Sequence, residues 1–146
     1  MPHAFAKPAF LALMLAFAAA PALADPLADS VAAIDPSIRE IRVPGGWEKD
    51  GKKGLYRVVL SRSGDGTSRL FVQWLALGAD GTPSLERSVE IGEVAAQKLA
   101  VSDFTTDLEN GLTVFVAIAN PSGDDPASYE LIVEDDGSYR FGPASN

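Results

Sequence analysis

The sequence of 146 residues contains no cysteine, and its one histidine and two methionines all precede Ala24. The rest of the chain therefore lacks thiol, imidazole and thioether groups. This excludes thiol catalysis, the Ser-His-Asp triad, typical zinc and copper sites, and haem ligated by His or Met. The general base that titrates nearest neutral pH is also missing. We therefore expect a protein without a cofactor that acts by binding and not by catalysis.

Residues 1–24 have the pattern of a secretory signal peptide. A short basic start precedes the unbroken apolar run Phe10–Ala20, and Ala22-Leu23-Ala24 is a small-x-small cleavage site. The run is shorter than the roughly 20 residues that span a bilayer, so no stable membrane anchor is expected. We predict cleavage near Ala24 and export to the periplasm or secretion.

The formal net charge is −8, and the acidic excess is concentrated in residues 71–146. Nucleic-acid phosphates attract basic surfaces, so this balance predicts no nucleic-acid partner. One short segment differs, because four cationic side chains lie close together between residues 49 and 57.

Apolar and polar residues alternate from Ile38 onward, which is the period of β-strands. Turn dipeptides such as Asp50-Gly51 and Asn110-Gly111 separate the runs. This spacing predicts an all-β fold, an antiparallel β-sandwich of about eight short strands, with a small closed β-barrel as the alternative. Phe71 and Phe115 place apolar side chains on both faces of two strands, which favours the sandwich. The expected strands are Ile38–Val43, Leu55–Arg62, Ser68–Leu77, Leu85–Glu93, Leu99–Leu108, Leu112–Ala119, Ser128–Glu134 and Ser138–Phe141.

The mature chain divides into three parts. Residues 25–37 are expected to be a flexible N-terminal arm, in which Asp29 or Ser30 caps one helical turn. Residues 38–142 form the single sandwich domain, since the chain is too short for two ordinary domains. Residues 143–146 are expected to be a frayed C-terminal tail.

The strongest candidate site lies between Trp47 and Arg57. Trp and Tyr beside Arg and Lys can hold a sugar face, a peptide or an anionic group. The candidate ligand-binding residues are Trp47, Lys49, Lys52, Lys53, Tyr56 and Arg57, with Gln73 and Trp74 as possible additions. Alternatively, Trp47 closes the end of the sandwich with its Nε1–H bonded to the backbone, and Trp74 belongs to the core. We predict an exported binding domain whose partner is an envelope protein, a peptide or a glycan.

Two other function classes remain open. The protein could be a structural or accessory subunit of an exported assembly that uses a sheet edge, at Ile38–Val43 or Ser138–Phe141. It could also be a carboxylate hydrolase, although side chains four residues apart on a strand are about 13 Å apart, which exceeds either standard carboxylate spacing. The candidate carboxylates are Asp103, Asp107, Glu109, Glu86 and Glu90.

No metal or phosphate motif is expected. Asp124-Asp125 and Asp135-Asp136-Gly137 lack the alternating acidic pattern of a calcium loop, and turn formation explains both. Gly45-Gly46 is not followed by a helix, as a phosphate-binding loop requires.

Overall fold

Two antiparallel β-sheets of five and four strands form the fold. The computed structural model describes residues 25–145, so the predicted signal peptide of residues 1–24 lies outside the described residues. The β-sandwich is confirmed. The closed barrel is wrong, because within residues 25–145 no strand of one sheet pairs with a strand of the other, and four edges remain there.

The N-terminal segment is a unit of its own, which ends at Ala33. It contains helix α1 (Pro26–Ala32). Asp25 caps the helix by accepting a hydrogen bond from the Leu27 backbone N–H at 3.0 Å. The predicted caps Asp29 and Ser30 are wrong, because Pro26 already has the helical backbone angle and starts the helix directly after Asp25. No helix within residues 25–145 is long and apolar enough to cross a membrane.

The first sheet has one more strand than predicted. Its strands are β1 (Ile38–Arg42), β2 (Gly46–Lys49), β3 (Lys52–Arg62), β4 (Ser68–Leu77) and β5 (Pro83–Glu90). The order is β1-β3-β4-β5, and β2 lies end to end with β1 along the same edge of β3. No strand was predicted between Val43 and Leu55, but residues 46–55 form a hairpin, in which Asp50 and Gly51 both have the positive φ that a tight turn requires.

The second sheet is a simple meander. After helix α2 (Gly92–Ala96), the chain forms β6 (Val101–Asp107), β7 (Leu112–Ile118), β8 (Ser128–Val133) and β9 (Tyr139–Pro143), paired in that order. The two proposed assembly edges, β1 and β9, are both edge strands. Strand β9 runs to Pro143, two residues beyond its predicted end.

The core lies between the inner faces of the two sheets and is closed by the connection through α2. Burying one such aliphatic or aromatic side chain contributes roughly 1.5–3 kcal/mol. The members that are almost completely buried are Val58, Leu70, Val72, Ile91, Val94, Val101, Phe104, Leu112, Val114, Val116 and Leu131.

The two sheets differ in strand length. Strands β3 and β4 have 11 and 10 residues, whereas the strands of the second sheet have 5 to 7. The turn between β8 and β9 lies over one end of the inner face of the first sheet. Lys49 Nζ donates to the Asp135 carbonyl oxygen in that turn at 2.7 Å. This incomplete cover leaves an opening between the sheets.

Candidate functional site

The opening is a cleft of about 580 Å³, here called the end cleft. Its volume lies within the range of roughly 300–1,000 Å³ that is usual for ligand sites. Strands β2 to β5 form one side and the β8–β9 turn forms the other. The lining residues are Trp47, Glu48, Lys49, Asp50, Lys52, Tyr56, Trp74, Glu86, Arg87, Asp135, Asp136 and Gly137.

Strand alternation decides which predicted residues reach the end cleft. Trp47 pairs with Gly54, and Lys49 pairs with Lys52. Side chains two residues apart share a face, so Tyr56 joins them on the inner face. The structure brings together Trp47, Lys49, Lys52 and Tyr56 from the predicted set.

Lys53 and Arg57 do not line the end cleft, because each follows an inward-facing residue and points to the opposite face. Lys53 Nζ forms an ion pair with Glu48 at 3.4 Å. Arg57 Nε donates to Gln73 Oε1 at 2.6 Å. Gln73, also considered from the sequence, therefore belongs to the outer face together with Arg57.

Trp47 is held in place by backbone contacts and also lines the end cleft. Its ring lies against Gly54, where a Cβ atom would collide with it. Its Nε1–H donates to the Leu55 carbonyl oxygen at 3.3 Å, and the side chain is partly buried against the core. The backbone bond expected of a closing tryptophan is present, and the same ring also lines the end cleft.

Trp74 and Arg87 form the second part of the wall. The Arg87 guanidinium carbon lies 5.0 Å from the centre of the Trp74 ring, and Tyr56 meets that ring edge to face at 5.9 Å. Gly137 covers the guanidinium so closely that it leaves no room for a Cβ atom. The sequence predicted Trp74 as core, and the structure shows a partly buried ring that packs on the core and lines the end cleft.

Sequence reasoning missed the lining residues that come from β5 and from the β8–β9 turn. Glu86 was considered only as a hydrolase carboxylate, and Asp136-Gly137 was interpreted only as a turn. The sequence did indicate the direction of Arg87. It lies two residues from the inward-facing Val89, and residues two apart on a strand face the same side of the sheet. No signal in the sequence placed either segment beside Trp47.

The three cationic side chains of the end cleft, Lys49, Lys52 and Arg87, each contact an acceptor that also lines it. Lys52 Nζ lies 3.0 Å from Glu86 Oε1. Arg87 Nη1 donates to the Asp136 carbonyl oxygen at 3.5 Å. At the Lys52–Glu86 pair a hydrogen-bond donor and an acceptor therefore lie side by side in the end cleft.

Two tyrosines have raised pKa values. Burial raises the pKa of Tyr56 above its ordinary value of about 10, and the negative charge of Asp135 raises it further. Burial also raises the pKa of Tyr139, whose hydroxyl donates to Glu93 Oε2 at 3.0 Å. In both cases the folded protein favours the neutral phenol.

This difference predicts a loss of stability in alkali. A group with a raised folded pKa contributes stability that is complete below its unfolded pKa and is lost as the pH rises through the folded value. We expect the free energy of unfolding to fall above about pH 10, and to fall less steeply in the Tyr56→Phe/Tyr139→Phe double variant. Urea titrations at a series of pH values measure both slopes, and equal slopes would contradict the assignment.

Three of the candidate carboxylates outside the end cleft, Asp103, Asp107 and Glu90, have structural partners. Asp103 accepts from Arg42 at 3.1 Å, and Asp107 accepts from the Glu109 backbone N–H at 2.8 Å. Two hydrogen bonds from Arg69, at 2.8 and 2.6 Å, lower the pKa of Glu90. Within residues 25–145, no group of three or more His, Cys, Asp or Glu side chains is placed to hold a metal ion.

The end cleft can bind a ligand of moderate size through aromatic stacking and hydrogen bonds. Its tryptophan rings are held by contacts to Leu55, Tyr56 and Arg87, and Lys52 and Glu86 are paired before a ligand arrives. Such preorganisation lowers the entropic cost of binding. The sequence and structure match no protein-family model, no curated protein and no solved structure.

Proposed function

We propose that this protein is an exported, non-catalytic binding domain that holds an envelope protein, a peptide or a glycan in the end cleft. One observation carries the proposal: the chain has two tryptophans, Trp47 and Trp74, and both line the same cleft beside Tyr56. Aromatic side chains provide large contact areas at low entropic cost and dominate many binding sites.

The Lys52–Glu86 ion pair of the end cleft is expected to contribute more to ligand binding than to the stability of the fold. The side chains of Lys52 and Glu86 are 67% and 38% exposed. Exposed ion pairs contribute about 0–1 kcal/mol to stability. Loss of this pair should therefore leave the fold intact while it removes oriented polar groups from the cleft.

Lys53 provides a matched control for Lys52. It is the next residue on the same strand, is 70% exposed and also pairs with a glutamate, but it faces away from the end cleft. The substitutions Lys52→Ala and Lys53→Ala remove the same side chain and one exposed ion pair each. They differ in the lysine that is lost, because Lys52 lines the end cleft and Lys53 does not, although Glu48, the partner of Lys53, also lines it.

Tryptophan fluorescence tests the proposal directly, because both fluorophores line the site. The purified protein is titrated with a panel of soluble oligosaccharides and extended peptides. We expect a saturable shift with at least one probe, and Lys52→Ala should weaken that binding about tenfold, or about 1.4 kcal/mol. Lys53→Ala should bind as the wild type does.

Two results would overturn the proposal. One is a fluorescence that no probe changes at millimolar concentration. The other is a probe whose affinity is the same for Lys52→Ala, Trp47→Phe and the wild-type protein, because that probe would bind elsewhere. Thermal unfolding of each variant checks that the fold is retained.

A further inference from the structure

The charges that line the end cleft discriminate between classes of ligand. Five lining residues are acidic, namely Glu48, Asp50, Glu86, Asp135 and Asp136, and three are basic, namely Lys49, Lys52 and Arg87. The whole chain carries a further acidic excess. An anionic ligand would meet a repulsive field on approach and carboxylates on arrival.

A cationic ligand meets a different obstacle. The face of Trp74 already holds the Arg87 guanidinium, and Glu86 already pairs with Lys52. A ligand cation would have to displace one of these protein cations to reach the same aromatic face or carboxylate. Other carboxylates, such as Asp50 and Asp135, also line the end cleft, so a Lys-rich peptide is the competing probe in the test below. A neutral ligand meets neither the repulsion nor the competing protein cations.

The ion pair between Lys52 and Glu86 retains hydrogen-bonding capacity that suits hydroxyl groups. A lysine ammonium has three N–H donors and a carboxylate has about four acceptor sites, and the contact between Lys52 and Glu86 uses one of each. The two side chains thus offer donors and acceptors about one hydrogen-bond length apart. Adjacent hydroxyls on a sugar ring both donate and accept, so they can bind to both members of the pair.

Trp47 provides the complementary apolar surface. The face of an aromatic ring is electronegative and attracts the weakly positive C–H groups on the flat side of a sugar. The hydrogen bond to Leu55 and the seat on Gly54 fix the orientation of this ring. A sugar can therefore stack on Trp47 without first ordering it.

We infer that the end cleft binds a neutral glycan, whose ring stacks on Trp47 and whose hydroxyls bond to the Lys52–Glu86 pair. This inference rests on the proposed function and narrows its ligand to one class. The volume of about 580 Å³ accommodates a short segment of such a glycan and not a folded partner.

The test compares two probe classes at two ionic strengths. The purified protein is titrated calorimetrically with uncharged di- and tetrasaccharides of glucose, galactose and N-acetylglucosamine, and with a Lys-rich peptide. Salt screens ionic attraction between exposed groups, with a Debye length of about 10 Å at 0.1 M and 3 Å at 1 M. We expect at least one saccharide to bind with an affinity that changes less than about twofold between these salt concentrations.

Variants then locate the bound sugar. Glu86→Gln keeps the shape and one acceptor but loses the charge and the ion pair with Lys52, so we expect roughly tenfold weaker binding. Arg57→Ala, which changes an arginine on the outer face of the same sheet, should leave the affinity unchanged. Trp47→Phe should weaken binding and remove most of the fluorescence response.

The possible failures are distinguishable. Salt-sensitive binding of the peptide in the end cleft, without saccharide binding, would overturn the inference and leave the proposed function standing. Absence of binding by both probe classes would overturn the inference and also count against the proposed function. Saccharide binding that Glu86→Gln and Trp47→Phe leave unchanged would overturn the inferred site.

Discussion

Replacing Phe104 with alanine is expected to lower the free energy of unfolding by about 3–5 kcal/mol. The Phe104 ring is 1% exposed and lies in the core shared by the two sheets. Its removal forfeits the transfer free energy of the ring and leaves a cavity that the strands fill only in part. Arg42 also stacks on this ring, with its guanidinium carbon 5.0 Å from the ring centre, and would lose that contact.

Phe115→Ala is the matched control. Phe115 lies on β7, directly beside β6 in the same sheet, but it faces outward and is 42% exposed. We expect its removal to cost only about 1–2 kcal/mol, since 42% of its surface stays exposed in the folded protein. Urea unfolding followed by tryptophan fluorescence measures both variants. Equal costs would contradict the assignment of inner and outer faces in the second sheet.

Replacing Gly54 with alanine is expected to cost about 1–3 kcal/mol, a large effect for one methyl group. A Cβ atom at Gly54 would collide with the carbonyl oxygen of Leu75 and with the Trp47 ring. Strand β3 lies between β2 and β4, so the backbone cannot move aside without breaking a ladder. We also expect a red-shifted tryptophan emission, because the Trp47 ring would move away from Gly54 and become more exposed to water.

Gly64→Ala separates this collision from the general effect of replacing glycine. A Cβ atom at Gly64 would meet nothing within 4 Å, and its φ lies outside the left-handed region. Such a substitution is expected to change stability by less than about 1 kcal/mol. An equal decrease in the thermal unfolding midpoint of Gly54→Ala and Gly64→Ala would show that the Trp47 ring does not depend on the missing side chain at Gly54.

The fold was largely predictable because most strands carry their own pattern. Strand β4 matches its predicted bounds, Ser68–Leu77, since apolar residues fill both of its faces and a glycine-rich turn precedes it. Strand β2 (Gly46–Lys49) was missed because its one apolar side chain, Trp47, gives no alternation. That segment is a strand because it pairs with β3. The pairing depends on β3 as well, so the sequence of the segment alone does not reveal it.

The candidate site was predictable only in part, for two physical reasons. Arg57 was grouped with Tyr56 because the two are adjacent in sequence, although adjacent residues on a strand face opposite sides. Arg87 and the turn at Asp135–Gly137 reach Trp47 from distant parts of the chain. Their meeting depends on strand order and on the unequal lengths of the strands, and neither is written in local sequence patterns.

The single passage of the chain from one sheet to the other, through α2, has a consequence for how the molecule assembles. All pairings except that of β1 with β3 join strands that are successive along the chain. Closing short loops costs little entropy, and chains rich in near-neighbour contacts fold faster than those that must join distant segments. A polypeptide severed within α2 would therefore keep a whole hydrogen-bonded ladder in each fragment. Each fragment would also expose the apolar face that packs against the other sheet in the intact protein. Each sheet can therefore pair its own strands, but its stability depends on contact with the other sheet.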